Sequence, residues 1–519
     1  MASGLIGKFA TVGGATMASR VLGFAREAMM AAALGSGPVA DVFYTCFRFP
    51  NLFRRLFAEG AFNIAFVPLF AKELEGGGEP DAGRFASEVF AVLASWLLVL
   101  CTIVVAFMPV VAAWIVAPGF VDDPEKFDLA VVMTRIMFPY LFFMSLVAMF
   151  SGVLNSFRRY FLAAIVPVLL NVVLCAILAW AILTEAEGRD VGLALAWGVF
   201  VSGAAQLAAL WWGMRATGLP FTIRAPRLTP PVKRLLVLMG PALLTGGVLQ
   251  INLLIGTIIA TAQDGANALL NYADRLNQLP LGVIGIAIGV VLLPELSRAL
   301  RANEHREAHA LQNRSLEFAA LLSFPAAMAL VLVPDEIVAV LYERGAFTSE
   351  TTRLTAAALA AFATGLPAYV LLKVFQPAFF AREDMRTPLL ASLVMVAVNV
   401  ALSLSLFPLY GHVAIATATS VSAWVNVVLL AALSVRRGDT AIDRATWRRL
   451  GAITASSLAM GAAVWWGALL LAPWFAGGFG AKALALGVLV LAGALVYGGG
   501  VLLAGGVDRT LVRRVLRRG

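Results

Sequence analysis

Charge is scarce in this chain. Only 13% of its 519 residues are Asp, Glu, Lys or Arg, where soluble domains carry about a quarter. Hydrophobic residues make up 61% and mean hydropathy is +0.88. The apolar excess is spread along the whole length, so a string of soluble domains is excluded and a membrane is the solvent. Cysteine is also rare. Cys46, Cys101 and Cys175 are odd in number and sit in apolar stretches, which excludes a disulfide framework and leaves free core thiols. Histidine is absent before His305. His305 and His309 stand four apart, a metal-pair spacing, but no third ligand is near and a solvated face is the reading. No Walker A motif and no nucleophile–base set occurs, so the chain is not expected to be an enzyme, nor to need a cofactor. No short apolar run with a small-residue cleavage site opens the chain, so the first helix is expected to be retained.

What is present is a series of fourteen apolar segments, near 5–33, 40–71, 86–117, 129–154, 161–183, 191–214, 235–261, 268–297, 315–333, 354–380, 388–407, 412–434, 450–472 and 481–505. Each is long enough for about 20 residues of membrane crossing. The fold class is therefore all-α and polytopic. Placing the N-terminus in the cytoplasm puts 26 loop and tail Lys/Arg on that side and 5 on the other, Lys126 among the five. Positive residues favour the cytoplasmic side, so both termini are expected there. The +9 net charge is then a topology signal, and nucleic acid is not an expected partner. Trp465, Trp466 and Trp474 suit interfacial anchors. Gly282, Gly285 and Gly289 suit close helix packing.

The chain also resembles itself at an offset of 227–228 residues. Pro68 matches Pro294 at 226, Pro139 matches Pro367, Arg158 matches Arg386, and Asn171-Val172 matches Asn399-Val400. Six helices per copy is an even number, so the repeat is parallel, a plan on which transporters bind substrate between halves. The expected division is 1–218 and 219–436 as six-helix lobes. Residues 437–519, with the last two helices and a basic tail, stand outside the repeat.

Eight basic residues fall inside apolar segments: Arg20, Arg26, Arg48, Arg54, Arg55, Arg135, Arg275 and Lys373. A central arginine costs roughly 2.5–3.5 kcal/mol on the insertion scale, so these side chains need water, a partner or an anionic ligand. Asp41, Arg48, Arg55 and Glu59 share nearly one helical face. Arg20 and Arg26 flank Gly23, with Ser19 and Glu27 adjacent, and a straight helix would splay them about 240° apart. For Asp41, Arg48 and Arg55 two readings stand open: internal ion pairs (Asp41 with Arg48, Arg55 with Glu59) or a ligand cavity. For Arg20, Arg26, Arg54 and Arg275 the excess of positive charge favours the cavity. Under the ion-pair reading Asp274 would pair with Arg275 or a neighbour. Guanidinium matches phosphate and carboxylate through two parallel hydrogen bonds, which makes the expected ligand anionic. At offset 227, Arg20 faces Gly247 and Arg26 faces Leu253, so those charges are not demanded by the shared scaffold.

The stretch "SRVLGFAREAMMAAALGSGPVADVFYTCFRFPNLFRRLFAEGAFNIAFVPLF" resembles the first two helices of the MurJ (MviN) family of lipid II flippases. "YADRLNQLPLGVIGIAIGVVLLPELSR" resembles the family's eighth helix and "FFAREDMRTP" its tenth-to-eleventh connection. The resemblance implies the multidrug/oligosaccharidyl-lipid/polysaccharide exporter superfamily, with two six-helix lobes and two extra helices forming a lipid-tail groove. It implies that Arg26, Arg54 and Arg275 are cavity arginines, with Ser19, Arg20, Asp41 and Glu59 nearby. Glu27 departs from the Asp that many members carry. The implied substrate is lipid II, an undecaprenyl-pyrophosphate-linked muropeptide, flipped outward across the bacterial inner membrane by a monomer among membrane lipids. A sodium or chloride coupling ion has no site that the sequence fixes. Two rivals belong to the same superfamily: a flippase for another polyprenyl-pyrophosphate-linked oligosaccharide, and a drug or cation antiporter, which should show an acidic cavity.

Overall fold

A computed structural model describes residues 2–56, 62–302 and 304–506, among which no strand occurs. The chain divides into two compact units, Met1–Ala268 and Leu269–Gly519. The first holds α1 (Ala2–Leu34), α2 (Pro38–Phe53), α3 (Asn63–Ala106), α4 (Met108–Val111), α5 (Pro124–Met137), α6 (Tyr140–Ser156), α7 (Tyr160–Ile165), α8 (Val168–Thr184), α9 (Arg189–Arg215) and α10 (Pro230–Ala260). The second holds α11 (Ala266–Arg301, opening just before the boundary), α12 (His305–Leu332), α13 (Pro334–Tyr342), α14 (Ser349–Phe380), α15 (Arg386–Tyr410), α16 (His412–Arg436), α17 (Arg444–Leu470), α18 (Ala472–Phe475) and α19 (Phe479–Ala504). Among the described residues ten helices are long and apolar enough to cross a membrane. α1, α2, α10 and α11 occupy the stretches read as the first, second, seventh and eighth segments.

Proline and glycine cut several expected helices into pieces. The stretch 129–154 is α5 and α6, joined at Phe138-Pro139, and 161–183 is α7 and α8, joined at Val166-Pro167. Proline has no N–H to give the preceding turn. α3 is two helices meeting at Gly78, whose φ of 71° lies where a side chain is strained. In the second expected helix α2 ends at Phe53 and a π turn follows at 54–56, while residues 57–61 lie outside the described residues.

Lipid tails are as apolar as leucine, so helices in a bilayer associate through close packing and polar contacts. Close packing shows where α14 crosses α16. A Cβ on Gly365 would stand 2.7 Å from the Ser420 Cα, and only glycine permits that approach. Polar contacts concentrate at helix ends. In the second unit, Asp384 receives the backbone N–H groups of Arg386 (3.1 Å) and Thr387 (3.0 Å), opening α15. It also accepts the Thr387 hydroxyl at 2.6 Å and pairs with Arg437 at 2.8 Å. Arg382 pairs with Asp439 at 2.9 Å, and Asn313 donates to the Ala441 carbonyl at 2.9 Å. Glu317 on α12 takes Arg449 at 2.9 Å and Thr446 at 2.8 Å from α17. At the other end Glu343 binds Lys482 of α19 at 2.9 Å and Thr352 at 2.7 Å. Burial raises the Glu343 carboxyl, but these two partners outweigh it and leave the group below its usual range. The two helices outside the repeat are thus ionically fastened to α12 and to the turn after α13.

Hydrogen bonds from Thr387 and the charge of Arg437 hold the Asp384 carboxyl well below its ordinary range. The stability this contributes is present above the unfolded-state value and is lost as pH falls through the folded one. Because Arg437 is 46% exposed, the pair itself is worth about 1 kcal/mol or less. Asp384→Asn should lower thermal stability in detergent at neutral pH and flatten its decline between pH 5 and pH 3, read as about a 1 kcal/mol difference. An unchanged acid slope would mean that another carboxylate sets it.

Candidate functional site

The charged residues of α1 and α2 do not form one ring. They sort into two sets of contacts within the first unit. In the inner set, Arg26 donates one guanidinium nitrogen to Asn171 Oδ1 on α8 at 3.1 Å and the other to Glu27 Oε1. The second oxygen of Glu27 accepts the Tyr44 hydroxyl from α2 at 2.6 Å. Asn171 donates in turn to the Ser19 carbonyl oxygen at 3.2 Å. Three helices therefore meet on one buried ion pair, whose side chains are 14% and 3% exposed. A charge leaving water costs several kcal/mol unless it is paired and hydrogen-bonded. Here guanidinium, carboxylate, phenol and amide answer one another.

The outer set is built on Asp41, in the first turn of α2. Its carboxylate accepts the backbone N–H of Asn267 at 3.0 Å and pairs with Lys126 of α5 at 2.8 Å. Both side chains are buried, 0% and 4% exposed. Lys126 also reaches Asp264 at 2.7 Å and lies 4.0 Å over the Phe120 ring. One of the two open readings paired Asp41 with Arg48; the carboxylate's ion pair is with Lys126. Arg48 turns instead to the Thr257 hydroxyl of α10 at 2.9 Å. Seven residues separate Asp41 and Arg48, two turns of helix, so the lysine entering from α5 is the nearer cation. Lys126 itself was expected in a solvated loop.

The remaining residues stand apart. Arg20 is exposed, and α1 runs unbroken past the buried Gly23, as the splay of a straight helix requires. Arg54 donates to Asn51 Oδ1 at 2.8 Å from the π turn, and Arg55 is exposed on the same turn. π turns often mark functional positions in helices. Glu59 lies outside the described residues, so its expected pairing with Arg55 has no counterpart here. Arg275, on α11 of the second unit, is half-buried, and Asp274 beside it accepts from Gln278. Among the described residues Arg20 and Arg275 make no hydrogen bond or ion pair. No group of three or more potential metal ligands occurs among them either.

Comparison with known proteins decides the family. The model of the family described as "Lipid II flippase MurJ" matches residues 30–484. The chain belongs to that family. A relative from Rhizobium tropici, named "Probable lipid II flippase MurJ", is 50% identical over 516 residues, 99% of this chain and 97% of its own. One from Rhizobium meliloti (strain 1021) with the same name is 51% identical over 519 residues, at the same coverage. The Burkholderia cenocepacia "Lipid II flippase MurJ" is 38% identical over 428 residues, 81% of this chain and 82% of its own. Among solved structures, a lipid II flippase MurJ in an inward closed conformation shares the fold with a TM-score of 0.78 at 22% identity, covering 97% of this chain and 99% of its own. An inward-facing multidrug transporter of the MOP superfamily follows at 0.66 and 14%, covering 80% and 94%. The family resemblance and the all-α polytopic membrane fold are thereby borne out. The family match begins at residue 30, so Ser19, Arg20, Arg26 and Glu27 lie before it, while the two Rhizobium relatives align over nearly the whole chain.

Five side chains were missed as polar parts of these sets: Tyr44, Lys126, Asn171, Thr257 and Asp264. Asn171 had a visible signal, an amide inside an apolar segment and paired with Asn399 in the repeat. Lys126 had none, because burial of a loop lysine depends on which helices pack around it.

Two outcomes test these contacts. Glu27→Ala leaves the Arg26 guanidinium buried without its counter-charge and should cost about 3–5 kcal/mol, seen as a large drop in melting temperature in detergent. An unshifted melting temperature would show that the pair does not hold the helices. Lys126→Met alone should destabilise by a similar few kcal/mol, and adding Asp41→Asn should restore most of the loss. If the two losses simply add, the pair is not coupled.

Proposed function

We propose that this chain moves lipid II from the cytoplasmic to the outer leaflet of the bacterial inner membrane. The observation that carries the reading is identity of about half, end to end, with relatives named for that activity. The charge of the membrane-embedded residues agrees with it. The embedded set is cationic in excess, the reverse of what a drug or cation antiporter needs, and arginine is the side chain that grips a pyrophosphate with paired hydrogen bonds. Arg20 and Arg275 have no partner among the described residues, so they are the first candidates for direct contact with the pyrophosphate. Arg26, Arg54 and Arg48 have at least one partner each, and in this reading they shape the local field and accept the substrate by exchange.

The cycle follows from charge. With both termini cytoplasmic, the site loads from the inner leaflet, the two lobes alternate access, and the head group leaves outside while the isoprenoid tail stays in lipid. A potential negative inside favours outward movement of anions by about 2.3 kcal/mol per charge per 100 mV. Bound arginines cancel part of the pyrophosphate charge on the loaded step, so the potential acts mainly on the return of the empty cationic site. Transport rather than catalysis is the activity, carried out by a monomer without a cofactor, and sodium or chloride is the candidate coupling ion.

The test is translocation of labelled lipid II in proteoliposomes. Wild-type protein should expose it to an outside probe. Arg275→Ala should slow exposure about ten- to a hundredfold, the loss expected when charge-assisted hydrogen bonds worth about 1.5–3 kcal/mol are removed, with the melting temperature unchanged. Wild-type vesicles that leave lipid II inside while exposing another polyprenyl-pyrophosphate oligosaccharide would overturn the substrate. Normal flipping by Arg275→Ala would remove that residue from the site.

A further inference from the structure

The first unit contains a cavity of about 310 Å³ that the charged contacts do not touch. It lies between α3 and the first turns of α10, lined by Val89, Leu93, Trp96, Val232 and Leu236, with Ser145 of α6 as the single hydroxyl in its wall. That hydroxyl is buried and spent on the Leu141 carbonyl oxygen at 2.9 Å. The interior thus offers no polar group to a ligand, although its size is in the range of small-molecule sites. Its walls are held open by polar contacts at one end. The Thr229 hydroxyl donates to Glu88 Oε2 at 2.7 Å, and Gly83 lies so close to Pro220 that a Cβ there would stand 2.3 Å from the Pro220 carbonyl oxygen. The rim is open: Trp96 is 50% exposed, Leu228 58% and Leu236 46%.

Next in the chain to the rim residues stand two cations. Arg227 adjoins Leu228, and Lys233 follows the lining residue Val232 in the first turn of α10. Arg234, about 200° round the helix from Val232, lies on the other face. Arg227 and Lys233 are exposed, and neither forms an ion pair with a described residue. Glu88, a carboxylate of α3, is occupied by Thr229. An apolar slot of chain-like lining with unneutralised cations at its mouth matches an amphiphile with an anionic head.

We propose that this cavity holds an acyl chain of an anionic glycerophospholipid, with the phosphate resting on Arg227 and Lys233. Basic residues beside a membrane helix attract anionic lipid, and a snug apolar slot converts that attraction into a site. The substrate's own pyrophosphate, in the reading above, belongs to the arginines of α1, α2 and α11. The occupant here is therefore a bilayer lipid that wedges the start of α10 against α3.

The full chain is reconstituted in nanodiscs of phosphatidylglycerol or of phosphatidylcholine, each carrying a photoreactive group near the end of one acyl chain. Labelling of residues 89–97 and 232–239 from phosphatidylglycerol is expected, with much less from phosphatidylcholine. Arg227→Gln and Lys233→Gln should each reduce the phosphatidylglycerol label about fivefold, from ~1 kcal/mol per basic residue, and leave the phosphatidylcholine label unchanged. Leu93→Trp should block the slot, and Leu236→Trp does the same from the half-exposed rim should the first variant fail to fold. Equal labelling by both lipids, or labelling scattered around the whole helix belt, would overturn the proposal. So would displacement of the phosphatidylglycerol label by a polyprenyl phosphate, which would assign the slot to the isoprenoid. Lipid II exposure, measured on the same variants in proteoliposomes, separates failure of this site from failure of the transport reading.

Discussion

A guanidinium inside a hydrocarbon layer must be solvated by the protein, and the first unit is arranged around that requirement. Arg26 is half of a buried pair with Glu27, and the pair draws Tyr44 from α2 and Asn171 from α8. Between apolar helices in lipid there is no hydrophobic drive to associate, so such contacts set which helices are neighbours and in which register. Removing either partner leaves a buried charge without its counter-charge. The same logic repeats at the helix ends, where Asp41 and Lys126 fasten α2 to α5.

The second unit solves the association problem differently. Its fastening contacts lie at the loops, where Asp384, Arg437, Asp439, Arg382 and Glu317 join α12, α14, α15, α16 and α17. Its interior crossings rely on small residues such as Gly365 and on hydroxyl-to-carbonyl bonds such as Ser420 to Ala361 at 2.7 Å. Inside the apolar stretches this unit has few charges to satisfy. Arg275 is the prominent one, and it is left unsatisfied by the described residues.

Much of this was legible in the sequence for physical reasons. Apolar length fixes where helices run, because a bilayer admits little else, and the excess of cations over anions in the first two segments marked the charged region. The partners were less legible. Asp41 and Arg48 sit on one helical face, yet a neighbouring helix delivers Lys126 to the carboxylate first, and helix-to-helix geometry is not written in local spacing. Breaks were half visible: Pro139 and Pro167 do divide helices, whereas Pro280 and Pro294 lie inside α11 without ending it. Whether a proline cuts or merely bends depends on whether neighbours satisfy the carbonyl it leaves behind.

The repeat sharpens the meaning of Arg275. It stands 227 residues after Arg48, so the duplicated helix has an arginine at that position in both copies. The surroundings differ. The counterparts of Arg26, Glu27 and Tyr44 at that offset are Leu253, Leu254 and Asn271, so the second copy has no ion pair of the Arg26–Glu27 kind. Asn399, the counterpart of Asn171, turns to Thr419 and Ser422 at 3.2 and 3.3 Å instead of to an arginine. Arg48 has a hydroxyl on α10, while Arg275 has no partner among the described residues. Two copies of one scaffold thus carry the same guanidinium position with opposite commitments. In the first copy arginine is largely built into the structure, and in the second it is left available.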